Sequence, residues 1–412
     1  MTEQAASLKD PEVQQCPYPF YAKLRAEEPV KFMPELGVYY IASYDLGRTV
    51  LIDSKRFGKA APGGDGRRYI EPHPKAVELL REKDFGLPMS MMSNRDGAEH
   101  RKGRAILDGY FRAATVQKMA DYVSETATDL LDRLEGKSEV EVVADFAIPL
   151  PVYVIADVMG IPRSEYKTFK RWSDGVVTYL AMQVPEKESI EGAQAMLEMH
   201  KYMVAEVHKR RVEPRDDLLT TLAQGVYDGR PLTDHEICGF TDEVLVAGNE
   251  TTTSTITAGL LEIAKNPALQ AKLRAQPELI PKFVEETLRI SSPLQVTLRR
   301  ALVDVTIAGV DIPAGSRIFI GLGSANRDDC AFAQADNLDP ERTTDKTHVT
   351  FGAGVHHCLG AELARLELRT AFDLWLKRYS KIELAQPADS VEYPASYAIR
   401  GPKAVHLRVH KA

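Results

Sequence analysis

Apolar positions recur at three- and four-residue intervals over most of the chain, and alternate only in short runs. Residues 17–28 read as a short helix carrying Tyr18, Tyr21 and Leu24. Residues 30–32 and 38–41 read as a small hairpin around Pro34 and Gly37, and 44–53 return to helical spacing. From Gly58 to Gly66 the chain is glycine-rich, and Pro72, Pro74, Gly86 and Pro88 extend an irregular connection of the kind that often serves as a binding loop. Residues 116–133 and 144–160 are helical in spacing, the second ending on Gly160 and Pro162 as a stop. Residues 162–211 alternate charged and apolar side chains as amphipathic helices do, and include Trp172, Val176, Tyr179, Leu180, Met182 and Val184. Thr233 and Glu236 form a capping box opening a helix that can run to Asn266, where Pro267 stops it. After Pro293 the pattern turns to strand at 295–299, 305–307 and 317–320, and a last strand pair is expected within 397–409. The chain is therefore mainly α with a smaller β region, its β-rich portions at about 30–60 and 294–325 plus the C-terminal strands.

Composition changes this picture little. Of 412 residues, 44% are hydrophobic and 27% charged, as in an ordinary globular chain able to bury a large core. A net charge of −7 argues against nucleic acid as a general partner. The first ten residues lack the apolar segment of a secretory signal, and no run approaches the roughly 18 apolar residues of a membrane span, so no membrane and a cytoplasmic location are expected. Cys16, Cys238, Cys330 and Cys358 are far apart, with no Cys-x-x-Cys pair, which disfavours a zinc cluster or a disulfide framework.

One cysteine stands in a setting suited to ligation. Phe351-Gly352-Ala353-Gly354-Val355-His356-His357-Cys358-Leu359-Gly360 is followed by an apolar periodicity at Leu359, Leu363 and Leu366, a helix beginning after Gly360. The glycines permit a tight turn. Unpaired N–H groups at the helix N-terminus favour a thiolate over a thiol, and a thiolate is a nucleophile or a metal ligand. The bland reading of any cysteine beside a glycine turn is a buried structural residue.

The order Phe-Gly-x-Gly-x-His-x-Cys-x-Gly closely resembles the haem-ligand loop of the cytochrome P-450 family. That resemblance implies the cytochrome P-450 fold across residues 1–412 as a single domain: a triangular helical body with haem between the long central helix and the cysteine-loop helix. It implies haem b (iron protoporphyrin IX) with Cys358 as the axial thiolate, which pushes electron density onto iron and favours O–O cleavage. Four further stretches match the family in order. His100 and Arg104 share a helix face, and the pair resembles the family's propionate-binding position; alone it would read as a solvated basic face. Gly103 inside that helix is unfavourable and unexplained at this level. Ala247-Gly248-Asn249-Glu250-Thr251-Thr252-Thr253 is a weak, polar helix centre between apolar turns, suggesting a local opening bent by threonine hydroxyls. It is similar to the family's acid–alcohol pair, which implies Glu250 as the acid, Thr251 as the alcohol, and room at Gly248 for dioxygen or substrate. Glu286 and Arg289 match the family's Glu-x-x-Arg, a structural pair that Arg342 could join, although Leu338 stands where phenylalanine is commoner. Arg299 and His356 match two more propionate partners, with His357 able to exchange roles with His356.

Met89, Met92, Val244, Ala247 and Val296 are the expected substrate contacts; Leu87, Met91 and Leu294 lie beside them. The implied activity is a soluble, bacterial-type monooxygenase that activates O2 with two externally supplied electrons. It would hydroxylate or O-dealkylate a small hydrophobic substrate, aromatic or terpenoid-like. A separate ferredoxin with its NAD(P)H-dependent reductase would bring the electrons, steered by basic residues such as Arg101, Lys102, Arg112, Arg365 and Arg369. A monomer is expected, with no fused reductase module. Two alternatives keep the haem: a peroxygenase or isomerase needing no external electrons, and a non-catalytic haem-binding sensor. The Glu250–Thr251 pair disfavours both.

Overall fold

A computed structural model describes residues 7–60, 73–81, 89–180 and 184–411 of the chain; Leu87 and Met182, and the side chains of Tyr179 and Leu180, lie outside what it describes. The chain divides into two compact units. One comprises Met1–Gly58, Met119–Leu150 and Thr251–Ala412, the other Lys59–Lys118 and Pro151–Glu250.

The first unit carries the larger sheets. Val30–Met33 and Val38–Ile41 form the expected antiparallel hairpin, turned at Gly37, whose φ of 61° suits a residue without Cβ. Arg317–Gly321 adds parallel to the second of these strands, Val296–Ala301 pairs antiparallel with it, and Phe57–Gly58 closes the edge. Ile41, Ile318 and Ile320 fall on the buried side, where Tyr44, Val50 and Leu51 of helix Tyr44–Ile52 cover them with Phe332. Val310–Ile312, which the sequence pattern missed, pairs with Val305–Ile307 across Ala308 and Gly309, both at positive φ. At the C-terminus His406–Lys411 is a strand, but residues 397–405 do not pair with it. Its partners are Tyr379–Leu384 and Glu139–Glu141, and Ile399 makes only a bridge to Leu294. The expected pair fails because the alternating run that complements the last strand lies upstream of it, directly after helix Ala361–Arg378.

Helices Ile280–Ile290 and Ala361–Arg378 form the core behind these strands. Phe283 meets Phe372 edge-on at 5.0 Å, and a Cβ on Gly259 would fall 2.2 Å from the Phe372 ring, so only glycine lets the long helix lie this close.

The second unit is mainly helical, with a short hairpin of Val226–Tyr227 and Arg230–Pro231. Pro74–Arg81 is a helix inside the stretch expected to be irregular, with Ala76 and Leu80 buried; Pro74 sits at its first position, where a missing N–H costs nothing. Tyr166–Leu180 and Glu186–Val212 cross where Gly175 faces Ala195 and Gly192, a contact too close for a larger residue. Arg210 is buried here between Glu206 (2.5 Å) and Asp217 (2.7 Å) and donates to the carbonyl of Gly160 at 3.1 Å. His200 of the same helix meets Asp242 at 2.9 Å.

Asp234–Lys265 is the long helix. The expected capping box is present: Thr233 N–H donates to Glu236 at 2.8 Å, and Glu236 N–H donates to Thr233 Oγ1 at 3.3 Å. It is helical from end to end, so the threonine-rich centre does not interrupt it. The hydroxyls of Thr255 and Thr257 donate to the carbonyls of Thr251 and Thr253, both at 2.8 Å, which keeps these β-branched residues within the helix.

Candidate haem-thiolate site

Cys358 lies two residues before the N-cap of helix Ala361–Arg378, on a loop rather than on the helix itself. The loop is folded by its own backbone: Cys358 N–H donates to the Phe351 carbonyl at 2.8 Å, and His357 N–H to that of Gly354 at 3.0 Å. Gly352 and Gly354 have φ of 70° and 72°. A Cβ at Gly354 would come within 2.9 Å of the Leu51 carbonyl, so helix Tyr44–Ile52 presses directly on the turn. The cysteine is exposed, His356 is half-buried and His357 exposed.

Charged side chains cluster beside Phe351. Arg365 donates to Glu285 at 2.8 and 3.0 Å and to Glu362 at 3.0 Å, and its guanidinium lies 4.6 Å from the centre of the Phe351 ring. His348 Nδ1 accepts from Thr350 N–H at 3.3 Å, which leaves Nε2–H to donate to Glu285 at 3.0 Å. Burial works against ionising Glu285, yet His348 and Arg365 outweigh it and hold its carboxyl at about 2. Arg365 is thus tied to two acids while its side chain stays 23% exposed.

Glu286, Arg289 and Arg342 do meet. Arg289 donates to Glu286 at 2.7 and 2.9 Å and to the carbonyls of Asn326, Ala335 and Asn337; Arg342 Nε lies 3.2 Å from both Glu286 oxygens. Burial opposes the charge of Glu286, but Arg289 and its partners still hold its carboxyl below the ordinary range. Arg299 is buried on strand Val296–Ala301 opposite Ile318, and Val296 is buried at the start of that strand.

In the second unit His100 is buried and Arg104 half-buried on one face of helix Gly97–Leu107, with Arg104 donating to Asp108 at 3.1 Å. Gly103 now has its reason: a Cβ there would stand 2.1 Å from the Met91 carbonyl, so the loop at 89–93 rests on the helix backbone. The same loop rests on the long helix at Gly239, where a Cβ would come within 2.8 Å of the Met89 carbonyl. One turn further on, Glu243 accepts from the hydroxyls of Ser90 and Ser93 (2.6 Å each) and from the N–H groups of Met91, Met92 and Ser93 (3.3, 3.0 and 2.9 Å). Met91 is fully buried, and Met89 and Met92 are half-buried. A Cβ on Gly248 would approach Ile155 Cδ1 at 2.8 Å, so close helix packing accounts for that glycine on one side.

Along the long helix Val244, Asn249 and Thr252 are buried, whereas Ala247 is exposed and Gly248, Glu250 and Thr251 are half-buried. Burial raises the Glu250 carboxyl above its ordinary value. Asn249 turns inward and donates to Ser173 Oγ at 2.8 Å. Thr253 donates to the Ala147 carbonyl at 3.0 Å, an acceptor whose usual helical donor would be residue 151, a proline without an N–H.

Two residues of this set carried no sequence signal. Glu243 is one. Glu367 is the other: it is 1% exposed on helix Ala361–Arg378, its Oε2 has no hydrogen-bond partner, and burial holds its carboxyl well above the usual range.

A thiol reaching the surface of a glycine turn is a ligand suited to iron. Comparison with known proteins gives the family. The family profile described as Cytochrome P450 matches residues 80–278 and 274–406. Cytochrome P450 107B1 of Saccharopolyspora erythraea is 35% identical over 396 residues, covering 94% of each chain. Mycinamicin IV hydroxylase/epoxidase of Micromonospora griseorubida is 33% identical, covering 93% of each. Among solved structures, the bacillaene polyketide synthase cytochrome P450 PksS of Bacillus subtilis matches with a TM-score of 0.86 at 29% identity over 99% of this chain and all of that one. CYP109Q5 of Chondromyces apiculatus gives 0.85 at 32% identity, covering 98% of each. The chain is a haem-thiolate enzyme in class, mainly α with small sheets. It belongs to the cytochrome P450 family, whose members are monooxygenases built on protoporphyrin IX haem. No helix among the described residues is long and apolar enough to cross a membrane.

Proposed function

We propose that residues 1–412 act as one catalytic domain which uses O2 and two electrons to oxygenate a small hydrophobic molecule, aromatic or terpenoid-like, and that Cys358 holds the haem iron through Sγ. When bound, the haem supplies the redox chemistry that splits dioxygen. The chain's own residues supply the rest. His100, Arg104, Arg299 and His356 hold the propionates; the guanidinium groups suit carboxylates by charge and shape. Gly248 gives the reactants a flat backbone to approach. Glu250 is the proton carrier: a carboxyl raised by burial keeps its proton nearer neutrality than an ordinary glutamate, and can release it to the Thr251 hydroxyl or to water beside it. Glu286, Arg289 and Arg342 lock the core behind the cysteine loop.

Met89, Met92, Val244, Ala247 and Val296 are the substrate contacts in this reading. Their apolar character favours a compact hydrophobic molecule. Relatives bear names tied to polyketide and biotin biosynthesis, and a related Bacillus megaterium protein was solved with testosterone, so the family accepts varied carbon skeletons. Electrons come from a separate ferredoxin and its NAD(P)H-dependent reductase; Arg101 and Arg112 are exposed and suited to meeting an acidic partner. The protein works in the cytoplasm as a monomer.

The observation that carries this reading is Cys358, exposed on a turn built by Phe351, Gly352 and Gly354. The test is the carbon monoxide spectrum of reduced, haem-replete protein, followed by NADH consumption with a ferredoxin system. A thiolate-type band that disappears in Cys358→Ser, with substrate-stimulated turnover, is the expected result. An imidazole-type band in the unaltered protein would overturn it.

A further inference from the structure

Phe351 opens the cysteine loop, and its carbonyl accepts the N–H of Cys358 at 2.8 Å. Any group that fixes this ring therefore acts one hydrogen bond from the sulfur-bearing residue. Three side chains do so: the Arg365 guanidinium at 4.6 Å from the ring centre, the His348 ring at 5.7 Å and the His357 ring at 6.2 Å. Arg365 is planar and cationic, and lies within the range of a cation–π contact. It is held there by Glu285 and Glu362, while Glu285 is held in turn by His348.

Glu285 and Glu362 are acids and Arg365 is the cation between them, so loss of any one changes the charge behind the loop. Negative charge placed there repels electron density arriving on sulfur and iron, and does so more strongly in a partly buried site than in water.

We propose that Glu285 and Arg365 are positioning residues for the haem iron: together they fix Phe351 against the Cys358 loop and set the reduction potential through the net charge of their cluster. The proposal rests on the reading of Cys358 as the thiolate ligand. It makes a signed statement that a merely structural role does not. Glu285→Gln neutralises one acid and leaves Arg365 balanced by Glu362, so reduction becomes easier. Arg365→Leu leaves two acids without their cation, so reduction becomes harder.

The test is a dye-coupled redox titration of haem-loaded protein, with the carbon monoxide spectrum of each variant recorded alongside. Glu285→Gln is expected to raise the potential and Arg365→Leu to lower it, each by about threefold to tenfold in the reduction equilibrium, tenfold being 59 mV for one electron. Arg365→Lys, which keeps the charge without the planar stack, falls between Arg365→Leu and the unaltered protein. If Arg365→Leu does not retain haem, Glu285→Gln against Arg365→Lys provides the comparison, with Glu285→Gln the higher. Shifts of the same sign, or potentials all within about twofold in that equilibrium, would overturn the proposal. A thiolate-type band accompanying such a null result refutes only the role of the cluster. An imidazole-type band in unaltered protein refutes the ligand assignment beneath it.

Discussion

Replacing Glu243 with alanine is the most informative single change to the second unit. Its carboxylate accepts five hydrogen bonds, three from the N–H groups of Met91, Met92 and Ser93 and two from the hydroxyls of Ser90 and Ser93. The hydroxyls can turn to other acceptors, but the three N–H groups cannot. Hydrogen bonds to a charged group contribute about 1.5–3 kcal/mol each, and a buried donor left unsatisfied costs about 1–3 kcal/mol. Met91 is fully buried, whereas Met92 and Ser93 can recruit water, so the terms do not simply add. A total of about 3–5 kcal/mol follows for Glu243→Ala, and about half of that for Glu243→Gln, which keeps one acceptor oxygen. A chain of this size need not unfold in one step, so the sharper assay is local. Hydrogen exchange at the amides of residues 91–93 should quicken by about a hundredfold or more in Glu243→Ala, since 1.4 kcal/mol corresponds to tenfold. Substrate-induced shifts of the haem spectrum should weaken in parallel, because the methionines of this loop are the proposed contacts. Exchange quickened by less than about fivefold would show that the loop is held by its packing on Gly103 and Gly239, and the hydrogen-bond reasoning would be wrong.

Other outcomes follow from the same structure. Gly103→Ala should destabilise by about 2–3 kcal/mol in thermal or urea unfolding, even though alanine is the better helix former by about 1 kcal/mol, because the new methyl would meet the Met91 carbonyl. Glu250→Gln should slow substrate oxidation by about a hundredfold and divert reducing equivalents to peroxide, measured as product formed per NADH consumed. Because the Glu250 carboxyl is raised, its proton-donating form is complete in acid and is lost as pH rises through the raised value; that limb of the pH–rate profile should vanish in the amide variant. Glu285 has the opposite sign. Held at about 2 against an ordinary 4.5, it contributes stability fully above about 4.5, and this declines as pH falls toward 2, so acid unfolding of Glu285→Gln should be less steep there. Arg289→Ala should cost about 3–5 kcal/mol by stranding buried Glu286, whereas Glu367→Gln should change stability by less than about 1 kcal/mol, since burial already favours the uncharged form of its carboxyl.

Much of this was legible in the chain because the chemistry is local. The capping box at Thr233 and Glu236, the hairpin around Gly37 and the glycine turn before Cys358 each depend on residues a few positions apart, and each is present. The meeting of Arg342 with Glu286 was anticipated only through the family resemblance, since 56 residues separate them. What was not legible depends on tertiary approach. Gly103 and Gly239 look like weak points in helices until the backbone of residues 89–91 is seen lying on both. Glu243 resembles any other acid in an amphipathic pattern, and nothing in its neighbours announces that it caps a loop 150 residues earlier. Prolines at 72, 74 and 88 suggested an unbroken loop, but proline is tolerated at a first helical turn, and Pro74 begins a helix. Arg365 reads as a free surface cation from periodicity alone; its three hydrogen bonds to acids on two helices show otherwise.

The bond from Thr253 to the Ala147 carbonyl has a bearing on how this chain can be redesigned. A hydroxyl there repairs a gap that a proline leaves at residue 151, so the two positions constrain each other across more than a hundred residues of sequence. A library that varies the threonine run while keeping Pro151 will discard valine at 253 and retain serine. Restoring an amide donor at 151 frees 253 to change, and mutational drift at either site should be visible at the other.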